Sequence, residues 1–76
     1  MREFVEFHRR LRKAVRERRK ELDWSMADAS KRAGMSPDQW WYLEHDGSPS
    51  LRNLLQACKA LGVPVTDLIG EASGTV

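Results

Sequence analysis

Residues 25–45 read SMADASKRAGMSPDQWWYLEH, and the punctuation inside this stretch decides the fold. Ser25 followed by Asp28 is a capping signal. The serine hydroxyl can accept from the amide three residues on, and the carboxylate there can reach back to the cap amide. Met26, Ala29 and Ala33 then recur at helical spacing. Gly34 stops that helix, as a residue able to take the left-handed conformation. Ser36, Pro37, Asp38 and Gln39 come almost at once. Ser36 is a second N-cap, Pro37 sits in the first helical turn, and Gln39 completes a second capping box. The expectation is a short helix, a tight glycine turn and a further helix over about 37–45.

The flanks extend the helical pattern in both directions. Upstream, Phe4, Phe7, Leu11, Val15 and Leu22 recur at three- and four-residue steps, so residues 3–22 read as a long amphipathic helix. Arg18 falls inside that stripe and is expected to carry its charge outward along its apolar stem. Downstream, residues 45–49 form a turn around Gly47 and Pro49. Leu51, Leu54, Leu55, Cys58 and Leu61 give a stripe ended by Gly62, and a short last helix near 65–69 presents Val65, Leu68 and Ile69. From Gly70 the residues are small and polar, and a frayed tail is expected over 71–76. No strand pattern, repeat or low-complexity tract interrupts the sequence. The expectation is an all-α, compact five-helix domain over residues 1–70, with the two-helix unit at about 25–45.

The totals bound the functional class. Seventy-six residues fit one domain, and a domain this small buries only about 60% of its unfolded-chain surface. Cys58 is the single cysteine, which excludes an internal disulfide and suits a reducing setting as a core residue. A zinc site would need Cys58, His8 and His45 at spacings that match no usual pattern, so neither metal nor cofactor is expected. No apolar run approaches the ~20 residues a membrane span needs, and the first residues are charged, unlike a signal peptide. A cytoplasmic protein without a membrane partner is expected. Residues 1–22 hold nine Lys/Arg against four Asp/Glu, a net of +5, and the remainder holds four against seven, a net of −3.

Two short helices joined by a tight turn make either a DNA-reading unit or a plain αα-corner, and spacing alone leaves both open. The residues add to the spacing. Residues 25–36 (SMADASKRAGMS), then Trp40 and Leu43-Glu44, closely resemble the lambda-repressor-like helix-turn-helix family, also called the Cro or xenobiotic-response-element type. Residues 49–69 (PSLRNLLQACKALGVPVTDLI) are similar to that family's fourth and fifth helices almost position for position. The resemblance covers about residues 8–69. It implies a five-helix domain whose third helix enters the major groove, while the second lies across the backbone with its N-terminal amides toward a phosphate. It also implies an ion pair between Arg19 and Glu44 that ties the first helix to the recognition helix.

A projection of the third helix at about 100° per residue puts Trp40 and Leu43 on the inward face. Asp38, Trp41, Tyr42 and His45 point the opposite way, Gln39 sits on the flank, and Glu44 lies toward the core edge. The expected base-reading residues are therefore Asp38, Gln39, Trp41, Tyr42 and His45. Asp38 suits cytosine N4, Gln39 suits adenine N6 and N7, and Trp41 or Tyr42 suits a thymine methyl. The expected phosphate contacts are Ser25, Met26, Lys31, Arg32, Ser36 and Arg52. An aspartate and two large aromatics depart from the Gln, Arg, Ser, Thr or Asn that the family commonly carries there. The alternative is that Trp41 and Tyr42 cover a hydrophobic neighbour or a second subunit. The turn after Glu44 also departs, because His45 and Asp46 intervene before Gly47 where the family has a basic residue and then glycine.

Arg9, Lys13, Arg16 and Lys20 share the outer face of the first helix, which is either an ordinary solvated face or an attractor of nucleic acid or an acidic partner. No glycine-rich phosphate loop is present, and neither histidine has an obvious nucleophile, so no enzyme is expected. The expected function is a sequence-specific, DNA-binding transcriptional regulator of the repressor or controller kind. It would act as a homodimer on double-stranded DNA, with the nucleoid as its location when bound. The alternative is the same fold used as a protein-interaction adaptor.

Overall fold

Three left-handed stops and two serine capping boxes cut the chain into its elements. The computed structural model describes residues 2–45 and 50–73, with side chains from residue 5 onward. Helices run over α1 (Arg2–Glu21), α2 (Met26–Ala33), α3 (Pro37–His45), α4 (Leu51–Leu61) and α5 (Val65–Ser73). Among the described residues there is no strand. The architecture is all-α with five helices, as the sequence leads one to expect. The turn expected at 45–49 lies, beyond His45, outside the described residues until Ser50.

The stops share one hydrogen-bond pattern. Gly34 (φ 71°) ends α2 with its amide on Lys31 O and the Met35 amide on Ser30 O. Gly62 (φ 74°) ends α4 in the same way. α1 uses an aspartate there: Asp23 has φ 59°, its amide reaches Lys20 O, and the Trp24 amide reaches Arg19 O. This six-to-one and five-to-two pairing satisfies the last carbonyls of a helix and turns the chain sharply. Leu22 therefore leaves the helix and is exposed, although the sequence stripe includes it. Trp24 packs against the core from this turn.

The core gathers residues from every helix. Leu11, Ala14 and Val15 of α1 meet Trp40 and Leu43 of α3, Leu54, Ala57, Cys58 and Leu61 of α4, and Leu68 and Ala72 of α5. Ala29, Ala33 and Met35 close it from the side of α2. α1 lies most extensively along α5, while α2 packs on both α3 and α4. Trp40 is fully buried at the centre, and truncating a core aromatic of this kind costs about 3–5 kcal/mol. Burial pushes the Cys58 thiol up from its ordinary value, the behaviour of a core cysteine.

Two sequence readings are corrected here. Leu51 and Leu55, read as part of the α4 stripe, are 67% and 46% exposed. The core face is instead 54, 57, 58 and 61, which lets Ala57 bring α4 close to its neighbours. α5 also runs past Ile69 to Ser73, with Ala72 fully buried and Glu71 paired to Arg18 at 2.6 Å. Residues 71–73, expected in a frayed tail, are thus held by α1. Arg18 does turn its charge outward from the stripe, and it finds a carboxylate there.

Candidate nucleic-acid interface

α3 is clamped from behind before anything can dock on its front. The Glu44 side chain is 0% exposed and accepts three hydrogen bonds. Arg19 gives two of them in a fork, Nε to Oε2 at 2.6 Å and Nη2 to Oε1 at 3.0 Å. The Trp40 indole N–H gives the third, at 2.5 Å to Oε2. Arg19, 11% exposed, also donates from Nη1 to the Trp24 carbonyl at 2.8 Å. Every polar atom of this buried cluster is used, as a low-dielectric site demands. Among the described residues no buried side-chain nitrogen or oxygen lacks a partner. The Arg19–Glu44 pair implied by family resemblance is thus one part of a larger knot joining α1, the α1–α2 turn and α3.

The front of α3 faces solvent. Asp38, Gln39, Trp41, Tyr42 and His45 are all exposed, opposite the buried Trp40 and Leu43. Trp41 is 45% and Tyr42 52% exposed, so neither ring is tucked into its own subunit. The rings are ordered against one another. His45 stacks on Trp41 at 4.4 Å and 15°, and Tyr42 meets Trp41 edge-on at 5.5 Å and 85°. His45 Nδ1 lies 3.0 Å from the Trp41 carbonyl oxygen, one turn earlier. The result is an aromatic wall running along the helix with Asp38 at its N-terminal end.

Gln39 has a second task. Its Oε1 accepts from the Ser36 amide at 2.9 Å, and its own amide donates to Ser36 Oγ at 3.2 Å. Bidentate adenine reading requires that oxygen to leave the cap. Ser25 and Asp28 make the matching box on α2, at 3.2 and 3.0 Å. The Asp28 carboxyl is held below its ordinary value, first by the Ser25 amide, then by the Ser25 side chain, and by nearby Arg32 and Lys31. Both cap serines proposed for phosphate contact are therefore engaged in capping. Met26 packs its side chain against the core, so a phosphate contact from it rests on its backbone amide.

Lys31 and Arg32 are exposed in the last turn of α2, and Arg52 in the first turn of α4. The Arg32 guanidinium carbon lies over the Trp24 ring, 4.5 Å from its centroid, a cation–π contact. Trp24 is the residue that a stripe-based reading misses. An apolar residue directly before an N-cap is the staple position, and that signal is present in the sequence. The outer face of α1 is partly self-neutralised: Arg9 pairs with Glu6 at 2.6 Å and Lys13 with Glu17 at 3.8 Å.

Comparison with known families agrees with the all-helical fold. The family model for a helix-turn-helix domain matches residues 9–69. No curated protein and no solved structure matches the chain. Among the described residues no helix is long and apolar enough to cross a membrane.

Proposed function

The chain belongs to the helix-turn-helix domain family, of the lambda-repressor type, and from that premise we propose that it is a sequence-specific DNA-binding regulator of transcription. α3 lies in the major groove, where the N-terminal residues of a recognition helix meet base edges. One observation carries this reading. The face of α3 opposite Trp40 and Leu43 is open, while its back is fixed by the Glu44 knot. Asp38, Gln39, Trp41, Tyr42 and His45 contact bases, and Lys31, Arg32 and Arg52 contact phosphates together with the hydroxyl protons of Ser25 and Ser36 and the backbone amide of Met26. The protein acts as a homodimer of the repressor or controller kind in the cytoplasm, each copy reading one half-site about 34–36 Å from the other.

Selection from a randomised duplex pool at physiological salt, followed by fluorescence anisotropy, tests the proposal. One enriched motif that outcompetes random DNA is expected. If nothing is enriched and binding vanishes at that salt, the proposal is wrong.

A second reading has its own support. An acidic residue and exposed Trp41 and Tyr42 also suit a protein partner. Capture of a defined protein that Trp41→Ala no longer binds, with no DNA motif enriched, would favour the adaptor role.

A further inference from the structure

The N-terminal end of the open face of α3 carries a carboxylate with no cation beside it in the helix. Asp38 offers only acceptors there, while Gln39, its oxygen committed to Ser36, presents its amide donors on the flank. No lysine or arginine lies anywhere in residues 37–45. In the major groove guanine shows two acceptors, N7 and O6, and thymine shows the acceptor O4, so a carboxylate is repelled by both. Donors come from adenine N6 and cytosine N4. Adenine sets its N7 acceptor beside the donor, whereas cytosine sets the apolar C5 edge there. Asp38 is also near the N-terminus of α3, where base contacts of a recognition helix are made.

What stands beside the carboxylate is aromatic. Trp41 and Tyr42 follow Asp38 by three and four residues, the spacing of neighbours on one helix face. Both rings are open to solvent, yet Trp41 is braced by the His45 stack and the Tyr42 edge. A wall fixed in advance loses little side-chain freedom on binding. It offers a flat apolar surface next to an acceptor, and one base fits both: an amino donor with a methyl group beside it.

Resting on the DNA-reading role proposed above, we infer that α3 recognises a cytosine methylated at C5. Asp38 accepts from N4–H, and Trp41 with Tyr42 covers the methyl group. Thymine carries the methyl but turns O4 toward Asp38, and so is rejected.

Two randomised duplex pools test this, one synthesised with cytosine and one with 5-methylcytosine in its place, both selected at the same salt. The expected motif holds a fixed cytosine in each half-site. The enriched duplex should bind about fourfold tighter in its methylated form, the worth of one buried methyl group. Trp41→Ala should remove the methyl preference and keep the cytosine preference. Asp38→Asn should shift the fixed position toward adenine. Both side chains are exposed, and thermal melts of the variants confirm that they fold. Equal affinity for methylated and unmethylated duplexes, or a motif without a fixed cytosine, overturns the inference and leaves sequence-specific binding standing. No enriched motif in either pool overturns the DNA-reading role itself.

Discussion

Replacing Glu44 by alanine removes an acceptor that three buried donors share. Arg19, 11% exposed, loses both hydrogen bonds of its fork, and the Trp40 indole N–H loses its acceptor. Breaking one side of a buried ion pair costs about 3–5 kcal/mol, because the remaining charge is left without compensation. A partial discount applies here: Arg19 keeps its bond to the Trp24 carbonyl and can swing toward solvent. About 3 kcal/mol is therefore expected. For a domain of 60–100 residues each kcal/mol moves Tm by about 4–8 °C, so Glu44→Ala should melt about 12–24 °C lower. Thermal unfolding followed by circular dichroism measures this directly. Glu44→Gln keeps the shape and an acceptor for Trp40, and should lose roughly half as much. Replacing both partners, Arg19→Met with Glu44→Leu, removes the stranded charge and should recover part of the loss despite the unpaired indole. A Glu44→Ala melt within about 3 °C of the parent would refute the reasoning and show that Arg19 is paid no penalty by water reaching it.

Gly70 lies inside α5 with open space around the position a Cβ would take, so Gly70→Ala should raise stability by about 0.5–1 kcal/mol in urea unfolding. No gain would place that residue outside the helix. Gln39→Ala should relax preference at one base position by about 1–3 kcal/mol and also weaken the cap. Gln39→Glu keeps the capping acceptor but loses the amide donor, so selection on both variants separates reading from capping. Arg52→Ala should weaken specific and random duplexes alike and reduce the salt slope by about 1, measured by anisotropy titrations across salt. Asp28 has a depressed folded-state pKa, so its contribution is present above the ordinary carboxylate value and is lost as pH falls through the depressed one. The Glu6 carboxyl is likewise held below its ordinary value, first by its hydrogen bond from Arg9. The difference between parent and Asp28→Asn melts should therefore shrink toward zero in acid, and a pH-independent difference would exclude the capping role.

The α2–α3 unit is legible in the sequence because its determinants are local. Each capping box joins residues three apart, and Gly34 marks its own stop, so α3 falls at Pro37–His45 where the pattern puts it. Residues that meet across the fold are harder to read. Leucine weight draws Leu51 and Leu55 into the α4 stripe, yet the contact face is set by Ala57, whose small size shows its value only once α1 and α2 are in place. α5 looks finished at Gly70 because small polar residues follow. What extends it is the burial of Ala72 and the ion pair from Arg18, 53 residues away in sequence. The Arg19–Glu44 pair is legible only through family resemblance, and the Trp40 bond that completes it is not drawn by a helical projection. The exposure of Trp41 and Tyr42 follows from which face of α3 the core takes, so projection suffices for it.

If α3 reads DNA as proposed, it carries an aspartate toward a polyanion, and the charges around it bear on how it can. Part of the basic charge of α1 is engaged within the fold: Arg19 with Glu44, Arg18 with Glu71, Arg9 with Glu6 and Lys13 with Glu17. The exposed pairs among these add little stability, but together with Arg19–Glu44 they leave α1 with a weaker field than its composition suggests. On the proposed reading, phosphates are met by Lys31 and Arg32 in the last turn of α2 and by Arg52 in the first turn of α4. Three cations give a modest sequence-independent term, since each neutralised phosphate contributes a salt slope of only about −0.9. On that reading a single copy would hold random DNA loosely, and Asp38 would loosen it further wherever no base donor meets the carboxylate. That penalty would sharpen the contrast between right and wrong sites, and the proposed second copy on an adjoining half-site would restore the affinity lost.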